Sequence, residues 1–389
     1  MGVSLKVAAR SSPLSKAQVK EVFGPLDIPF EPIFVTSHGD IDKKTSLRAL
    51  DKTDFFTREV DALVLSGKAD VAVHSAKDLP EEIPEGLKIA AITKGQDPSD
   101  SLVMREGESL SDVKVVATSS VNREHNVKQL KADVAFVDIR GTIGERLEKL
   151  YQGDVDGVVI AEAALIRLGL NPNRVTLPGS TTPLQGQLAI VARHKTFIPE
   201  LEALDVRPKE TLYLGLRCKN PLWHHFPIIE IEDLPFERAD GATHYIFTSR
   251  TAAKKYRPFL ENRPIFCVGK ATAKELEGFE VKVAELEQAE GVVELLKTVD
   301  LEGAHVVWPR AEGARTVISD YLNEKCRLTE IPLYRVRTTT LLPPDPKDFK
   351  QIVFTSPSTV KAYQELFGKL PHDKELLSIG EITKEFILG

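Results

Sequence analysis

The sequence predicts an α/β protein built from several similar lobes, and three observations carry that expectation. Short apolar, β-branched runs recur, each followed by a Ser/Thr/Gly/Asp turn and a helical stretch. A strand-turn-helix segment is repeated about one hundred residues apart in the second half. The composition, 42% hydrophobic and 28% charged over 389 residues, is that of a globular chain with enough apolar material for two to four domains.

Leu5 to Ala9 is the first strand, and Ser12 and Pro13 then open a helix over 14–23. Serine caps the exposed N–H groups of a helix start, and proline fits the first turn because its missing N–H has no partner to lose. Asp70 to Ser75, Val113 to Ala117, Val134 to Asp138 and Val155 to Ala161 read as further strands, the last leading into a helix around Ala163 to Leu168. The polar stretch 194–211 carries two prolines and precedes a strand at Leu212 to Leu216, so the main boundary is expected there.

Beyond it, Tyr245-Ile-Phe-Thr-Ser-Arg echoes Ile352-Val-Phe-Thr-Ser-Pro. Each copy is followed by a second strand entering a glycine turn, Phe266-Cys-Val-Gly269 and Leu377-Ser-Ile-Gly380. Two similar α/β lobes follow from this, and a cleft between them is the expected ligand site.

A net charge of -6 argues against a nucleic-acid binder, which needs a basic surface to neutralise phosphates. No apolar run approaches the ~18 residues of a membrane span, and the first ten residues hold no signal-peptide core, so a cytoplasmic chain is expected. Cys218, Cys267 and Cys326 are too scattered for a disulfide scaffold or a Cys-x-x-Cys site, and no metal is expected.

Four groups of polar side chains lie just past predicted strand ends, where α/β sheets bind ligands. They are Arg10 with Ser12; His74 to Asp78, including Lys77; Thr118, Ser119 and Ser120 with Arg123; and Arg140 to Thr142 with Arg146. Taken singly, each has an ordinary explanation as a helix cap, a solvated cation or a surface ion pair. Together they suggest a polycarboxylate receptor, because arginines pair bidentately with carboxylates while hydroxyls and helix-start N–H groups add uncharged donors.

Arg10-x-Ser12-Pro-Leu, Gly39-Asp40, Ala72-Val-His-Ser-Ala-Lys-Asp-Leu-Pro80, Asp97-Pro98, Thr118-Ser-Ser, Arg140-Gly-Thr-x-x-x-Arg146 and Arg167-Leu-Gly169 resemble porphobilinogen deaminase (hydroxymethylbilane synthase) over roughly residues 3–195. The resemblance implies two periplasmic-binding-protein-like lobes, 1–93 plus 187–205 and 94–186. It makes Asp78 the catalytic carboxylate that assists ammonia loss from porphobilinogen. Arg10, Ser12, Lys77, Thr118, Ser119, Ser120, Arg123, Arg140, Arg146 and Arg167 would hold the substrate's acetate and propionate arms. It also implies a dipyrromethane cofactor, held in the family by a cysteine in a Gly-Gly-Cys context. No such context occurs in this sequence, and Cys218 is not expected to replace it.

From about residue 210, Leu212-Tyr-Leu-Gly-Leu, Phe247-Thr-Ser, Val268-Gly-x-x-Thr272, Trp308-Pro-Arg, Ile331-Pro-Leu-Tyr334, Phe354-Thr-Ser-Pro-Ser358 and Ile379-Gly-x-x-Thr383 resemble uroporphyrinogen-III synthase. The expected module, 206–389, has lobe A at 206–235 plus 340–389 and lobe B at 236–339. Tyr334 would assist hydroxyl departure from hydroxymethylbilane, with Ser249, Thr272, Ser356, Ser358 and Thr383 binding its carboxylates.

The expected function is thus tetrapyrrole synthesis by a monomer acting on porphobilinogen and hydroxymethylbilane, without membrane or nucleic-acid partners. Two alternatives stand beside it: a synthase whose deaminase half only binds bilane, and a non-catalytic carboxylate-binding module.

Overall fold

The computed structural model describes residues 4–42, 45, 46, 48 and 53–388. They form two compact units: 1–227 with 341–356 and 371–389, and 228–340 with 357–370.

The first unit opens with a five-stranded sheet in the order Phe30–Val35, Leu5–Arg10, Val71–Ser75, Leu188–Arg193, Leu87–Ile92. Leu188–Arg193 is antiparallel to both neighbours, whereas the first three strands run parallel. Both faces are covered, which is why Leu5–Arg10 shows no polar alternation. Val7 and Ala9 pack with Val19 and Phe23 on one face, and Ala8 packs with Val60 and Val64 on the other. Ser12 Oγ accepts from the Ser15 N–H at 3.2 Å and starts the helix Pro13–Phe23, as the serine-proline pair predicts.

The chain leaves this lobe after Ile92 and builds a second five-stranded sheet in the order Ala135–Val137, Val115–Ala117, Gly157–Ala161, Asp100–Met104, Arg174–Thr176. It then returns through residues 177–187 to Leu188–Arg193. Four of the parallel strands, Leu5–Arg10, Val71–Ser75, Val115–Ala117 and Ala135–Val137, end at or just before the polar groups identified above.

A third, four-stranded sheet follows: His224–His225, Thr211–Tyr213, Gln351–Phe354, Glu375–Ser378. The polar stretch before it is docked rather than extended. Arg207, 8% exposed, donates to the carbonyls of Ile89 (3.0 Å) and Trp223 (3.2 Å) and pairs with Asp205 at 2.9 Å. Asp205 accepts the Ile92 N–H at 3.0 Å, and Arg217 pairs with Glu85 at 2.8 Å. The expected boundary stretch thus lies inside one compact unit, where its polar groups fasten the third sheet to the edge of the first.

The second unit is a six-stranded sheet in the order Ile229–Asp233, Arg327–Thr338, His305–Ala311, His244–Phe247, Ile265–Cys267, Val281–Val283. Its core includes Tyr245, Phe247 and Tyr256 on one face and Ile246, Phe266 and Trp308 on the other. Ile229–Asp233, expected in lobe A, pairs antiparallel with Arg327–Thr338 instead. That twelve-residue strand is long enough to pair with His305–Ala311 on one side and offer its other edge to this partner. The repeat is real in three dimensions: His244–Phe247 pairs in parallel with Ile265–Cys267, as Gln351–Phe354 does with Glu375–Ser378.

No helix among the described residues is long and apolar enough to cross a membrane.

Candidate active site

In the first unit, strand ends and helix starts converge on a cavity of about 440 Å³. Arg10 closes its strand, and Lys77 and Asp78 occupy the single turn Ala76–Asp78 after Val71–Ser75. Ser120 caps the helix Val121–Leu130, which places Arg123 in its first turn. Thr142 forms a capping box with Glu145 at the start of Ile143–Gln152, which aims Arg146 inward. Arg10, Ser12, Lys77, Asp78, Ser119, Ser120, Arg123, Arg140 and Arg146 all line the cavity.

Charge in the cavity is unbalanced. Five cationic side chains (Arg10, Lys77, Arg123, Arg140, Arg146) face three carboxylates (Asp40, Asp78, Glu145). Arg10 forms a two-bond ion pair with Asp40 and lies 4.6 Å from the Phe56 ring centre. Arg123 pairs with Asp100, which is 2% exposed, at 2.5 Å. Arg140 donates to the Gly39 and Asp42 carbonyls at 2.9 and 2.8 Å, while its Nη1 is buried without a hydrogen-bond partner.

Burial, reinforced by the Arg123 charge, pushes Lys77 down to about 8, against the pull of Asp78 and Asp100. Burial together with Arg123 and Arg140 pushes Arg146 down to about 10. Cations whose charged forms are disfavoured by desolvation and by one another make a site that an anion stabilises.

Two expected residues do not line the cavity. Thr118 is 1% exposed; its Oγ1 accepts the Ser120 N–H at 3.3 Å and its carbonyl accepts from Arg48 at 3.2 Å, so it shapes the turn. Arg167 is clasped by Glu21 at 2.7 and 2.9 Å and by the Gly186 carbonyl at 2.7 Å, bracing the two lobes. Ser119 lines the cavity with its hydroxyl turned to Asp138 and the Ile139 carbonyl.

Sequence reasoning missed Phe56, Asp100 and Gln185. The adjacent aromatics Phe55-Phe56 in a polar stretch were a usable signal, but nothing local distinguished the other two. The segment Arg48 to Asp54, read from the sequence as a replacement for a lysine-bearing, Gly-rich loop expected after Gly39-Asp40, falls in part outside the described residues, at 49–52.

In the second unit, Tyr334 and Ser249 meet: their hydroxyl oxygens are 2.9 Å apart. Ser249 also caps the helix Arg250–Tyr256, accepting the Ala252 N–H at 3.0 Å. Burial pushes the Tyr334 phenol up, opposed by hydrogen bonds from Ser249 and Thr251, so it stays protonated at neutral pH. Thr272 is buried in the short helix Lys270–Lys274, whose Lys270 N–H is taken by Glu287 at 3.2 Å. Ser356 follows the strand Gln351–Phe354 in the first unit, where Thr383 is buried in the helix Glu381–Leu388; Ser358 lies in Pro357–Phe367 of the second.

None of the three cysteines lines the cavity. Cys218 is buried, donates to the Asn220 carbonyl at 3.3 Å and is pushed up to about 11 by burial, which keeps it a thiol rather than a nucleophilic thiolate. Among the described residues no cluster of His, Cys, Asp and Glu is arranged to hold a metal ion.

Residues 5–197 match the family described as porphobilinogen deaminase, dipyromethane cofactor binding domain, and residues 223–388 match uroporphyrinogen-III synthase HemD. The chain is 41% identical over 201 residues to a probable porphobilinogen deaminase of Chlamydia muridarum, covering 49% of this chain and 82% of that protein. It is 40% identical over 215 residues to a probable porphobilinogen deaminase of Ignicoccus hospitalis, covering 51% and 70%. The solved uroporphyrinogen-III synthetase of Helicobacter pylori aligns at 21% identity and a TM-score of 0.37, over 46% of this chain and 88% of that one.

Proposed function

The chain belongs to the porphobilinogen deaminase family and carries a uroporphyrinogen-III synthase domain behind it, and from that premise we propose that it performs both reactions. Porphobilinogen is deaminated and polymerised in the first unit, and the resulting hydroxymethylbilane is cyclised to uroporphyrinogen III. The reading places both reactions in the cytoplasm, on a monomer. Fusion then raises the concentration of an unstable intermediate at the second site.

The observation that carries this reading is the cavity with five cations around Asp78. Each pyrrole brings two carboxylate arms, and Arg10, Lys77, Arg123, Arg140 and Arg146 supply bidentate and point-charge partners for several of them. In the proposed reaction the C–N bond of the aminomethyl arm breaks, ammonia departs, and an azafulvene cation forms. The α-carbon of the next pyrrole attacks that cation and then loses its proton. Asp78 stabilises the cation electrostatically and accepts the pyrrole N–H; a group of this kind contributes roughly 10²–10³-fold.

The same donor set fits the carboxylates of a dipyrromethane, which supplies the family's starting chain when bound. Arg10, Arg123, Arg140 and Arg146 would hold its arms. The thiol tether does not fit, because no cysteine reaches this cavity.

For cyclisation, Tyr334 with Ser249 supplies a neutral donor pair. As the C–O bond of the terminal hydroxymethyl group breaks, the phenol gives its proton to the departing oxygen, which leaves as water; the carbocation left behind forms the ring-closing C–C bond, and the proton shed by the attacked pyrrole carbon returns to the phenolate.

The test is to supply porphobilinogen and hydroxymethylbilane separately and analyse the products. Both should be consumed, and Asp78→Ala should abolish use of the first only. The absence of a thiol from the cavity favours a second reading, in which the first unit binds bilane and only the synthase turns over. Consumption of hydroxymethylbilane but not porphobilinogen would establish that reading. A dipyrromethane adduct in the intact mass would overturn it.

A further inference from the structure

Gln185 is 4% exposed, and its amide joins the two lobes of the first unit. Its Oε1 accepts from Lys77 Nζ at 2.9 Å, and its Nε2 donates to the Pro98 carbonyl at 2.7 Å and to Asp100 Oδ1 at 3.0 Å. Lys77 can only donate, while a carbonyl and a carboxylate only accept, so the amide has one orientation. Asp100 also binds Arg123 at 2.5 Å. Lys77 of one lobe is thus connected through Gln185 and Asp100 to Arg123 of the other, across the two segments where the chain passes between lobes.

The backbone on either side of Gln185 is held in place. Leu184 has φ +62°, the only non-glycine residue with positive φ among those described, and its side chain packs against the first lobe's core. Such a conformation is strained for a residue with a Cβ and persists only where the surroundings impose it. Gly186 has φ +85°, and a Cβ there would lie 2.4 Å from the Gln96 carbonyl oxygen, so both chain crossings interlock at this point.

We propose that Gln185 is a positioning residue of the deaminase cavity, fixing the Lys77 ammonium relative to Arg123 and so setting the spacing of two groups that receive the substrate's carboxylate arms. This rests on the cavity's proposed role in porphobilinogen binding. Charged groups act on Lys77 beside this hydrogen bond: Asp78 and Asp100 favour its ammonium form, and Arg123 and Arg146 oppose it.

The test uses the full chain with Gln185→Leu and Gln185→Glu, their folding checked by circular dichroism. The reactivity of Lys77 toward reductive methylation is followed from pH 6 to 11 by peptide mass spectrometry, which needs no turnover. Loss of the acceptor should lower the midpoint in the leucine variant, and a facing carboxylate should raise it in the glutamate variant. With porphobilinogen as substrate, Gln185→Leu should raise KM by about tenfold to hundredfold with a smaller change in kcat, the scale of one lost hydrogen bond to a charged group.

Unchanged Lys77 midpoints in the folded variants overturn the proposal. So do shifted midpoints with unchanged KM and unchanged calorimetric affinity for porphobilinogen. If the leucine variant does not fold, the glutamate variant decides by the same two measurements. A wild type that neither consumes nor binds porphobilinogen defeats the reading of the cavity, while the methylation midpoints still decide whether Gln185 holds Lys77.

Discussion

The cavity of the first unit and the Tyr334 region of the second handle related molecules by different physics. The first sets five cations among three carboxylates, Asp78 included, with three of the cations (Lys77, Arg140 and Arg146) pushed down in affinity for their protons by burial and by neighbouring positive charge. The second places a buried phenol against a serine hydroxyl, both neutral at physiological pH. A developing pyrrolic cation calls for a fixed negative charge among groups that hold acidic arms, whereas a departing hydroxyl calls for a donor that still carries its proton at neutral pH. The first site should therefore respond to pH and salt, and the second should respond mainly to loss of its hydroxyls.

Asp78→Ala should break the contrast most completely, lowering porphobilinogen consumption by about 10³-fold while leaving hydroxymethylbilane cyclisation intact, as read by separate assays. Arg207→Met should come next. It leaves half-buried Asp205 with the Ile92 N–H and His224 but without its guanidinium, and strips the Ile89 and Trp223 carbonyls of a donor; breaking a fully buried pair costs roughly 3–5 kcal/mol, which sets the upper end of the effect. Thermal unfolding followed by circular dichroism should show that loss, and protease cleavage within 195–210 should accelerate.

Tyr334→Phe should lower cyclisation by about 10²-fold, the lower end for a general acid, with porphobilinogen consumption unaffected. A full-rate Phe variant would remove the phenol from the chemistry.

The smallest effect is that of pH on the cavity. Lys77 loses its proton as pH rises through about 8, so KM for porphobilinogen should increase severalfold between pH 7 and 9, a change that Lys77→Arg should suppress. The sign for stability is opposite. Between about 8 and the ordinary lysine range near 10.4 the unfolded chain binds the extra proton, so this residue's unfavourable contribution to folding fades as pH rises.

Much of this was legible in the sequence, for a physical reason. Caps, turns and strand ends are local, so Ser12 and the Thr118 to Ser120 run announced helix starts, and the cations beside them and beside Thr142 fell at the sheet edge where ligands bind. The internal repeat was equally legible, because one strand-turn-helix unit is written in one stretch of chain.

What only the tertiary structure decided depends on partners far apart in the chain. Arg167 reads like another substrate arginine until Glu21 and Gly186 enclose it. Ile229–Asp233 reads like part of lobe A until the long strand Arg327–Thr338 offers it an edge. Gln185 carries no signal of its own, since its role comes from Lys77 and Asp100, both more than eighty residues away. The sequence by itself determined which side chains stand at the ends of the strands; which of them keep their charge for a ligand, and which spend it bracing the protein, was settled only when folding brought distant partners within hydrogen-bond reach.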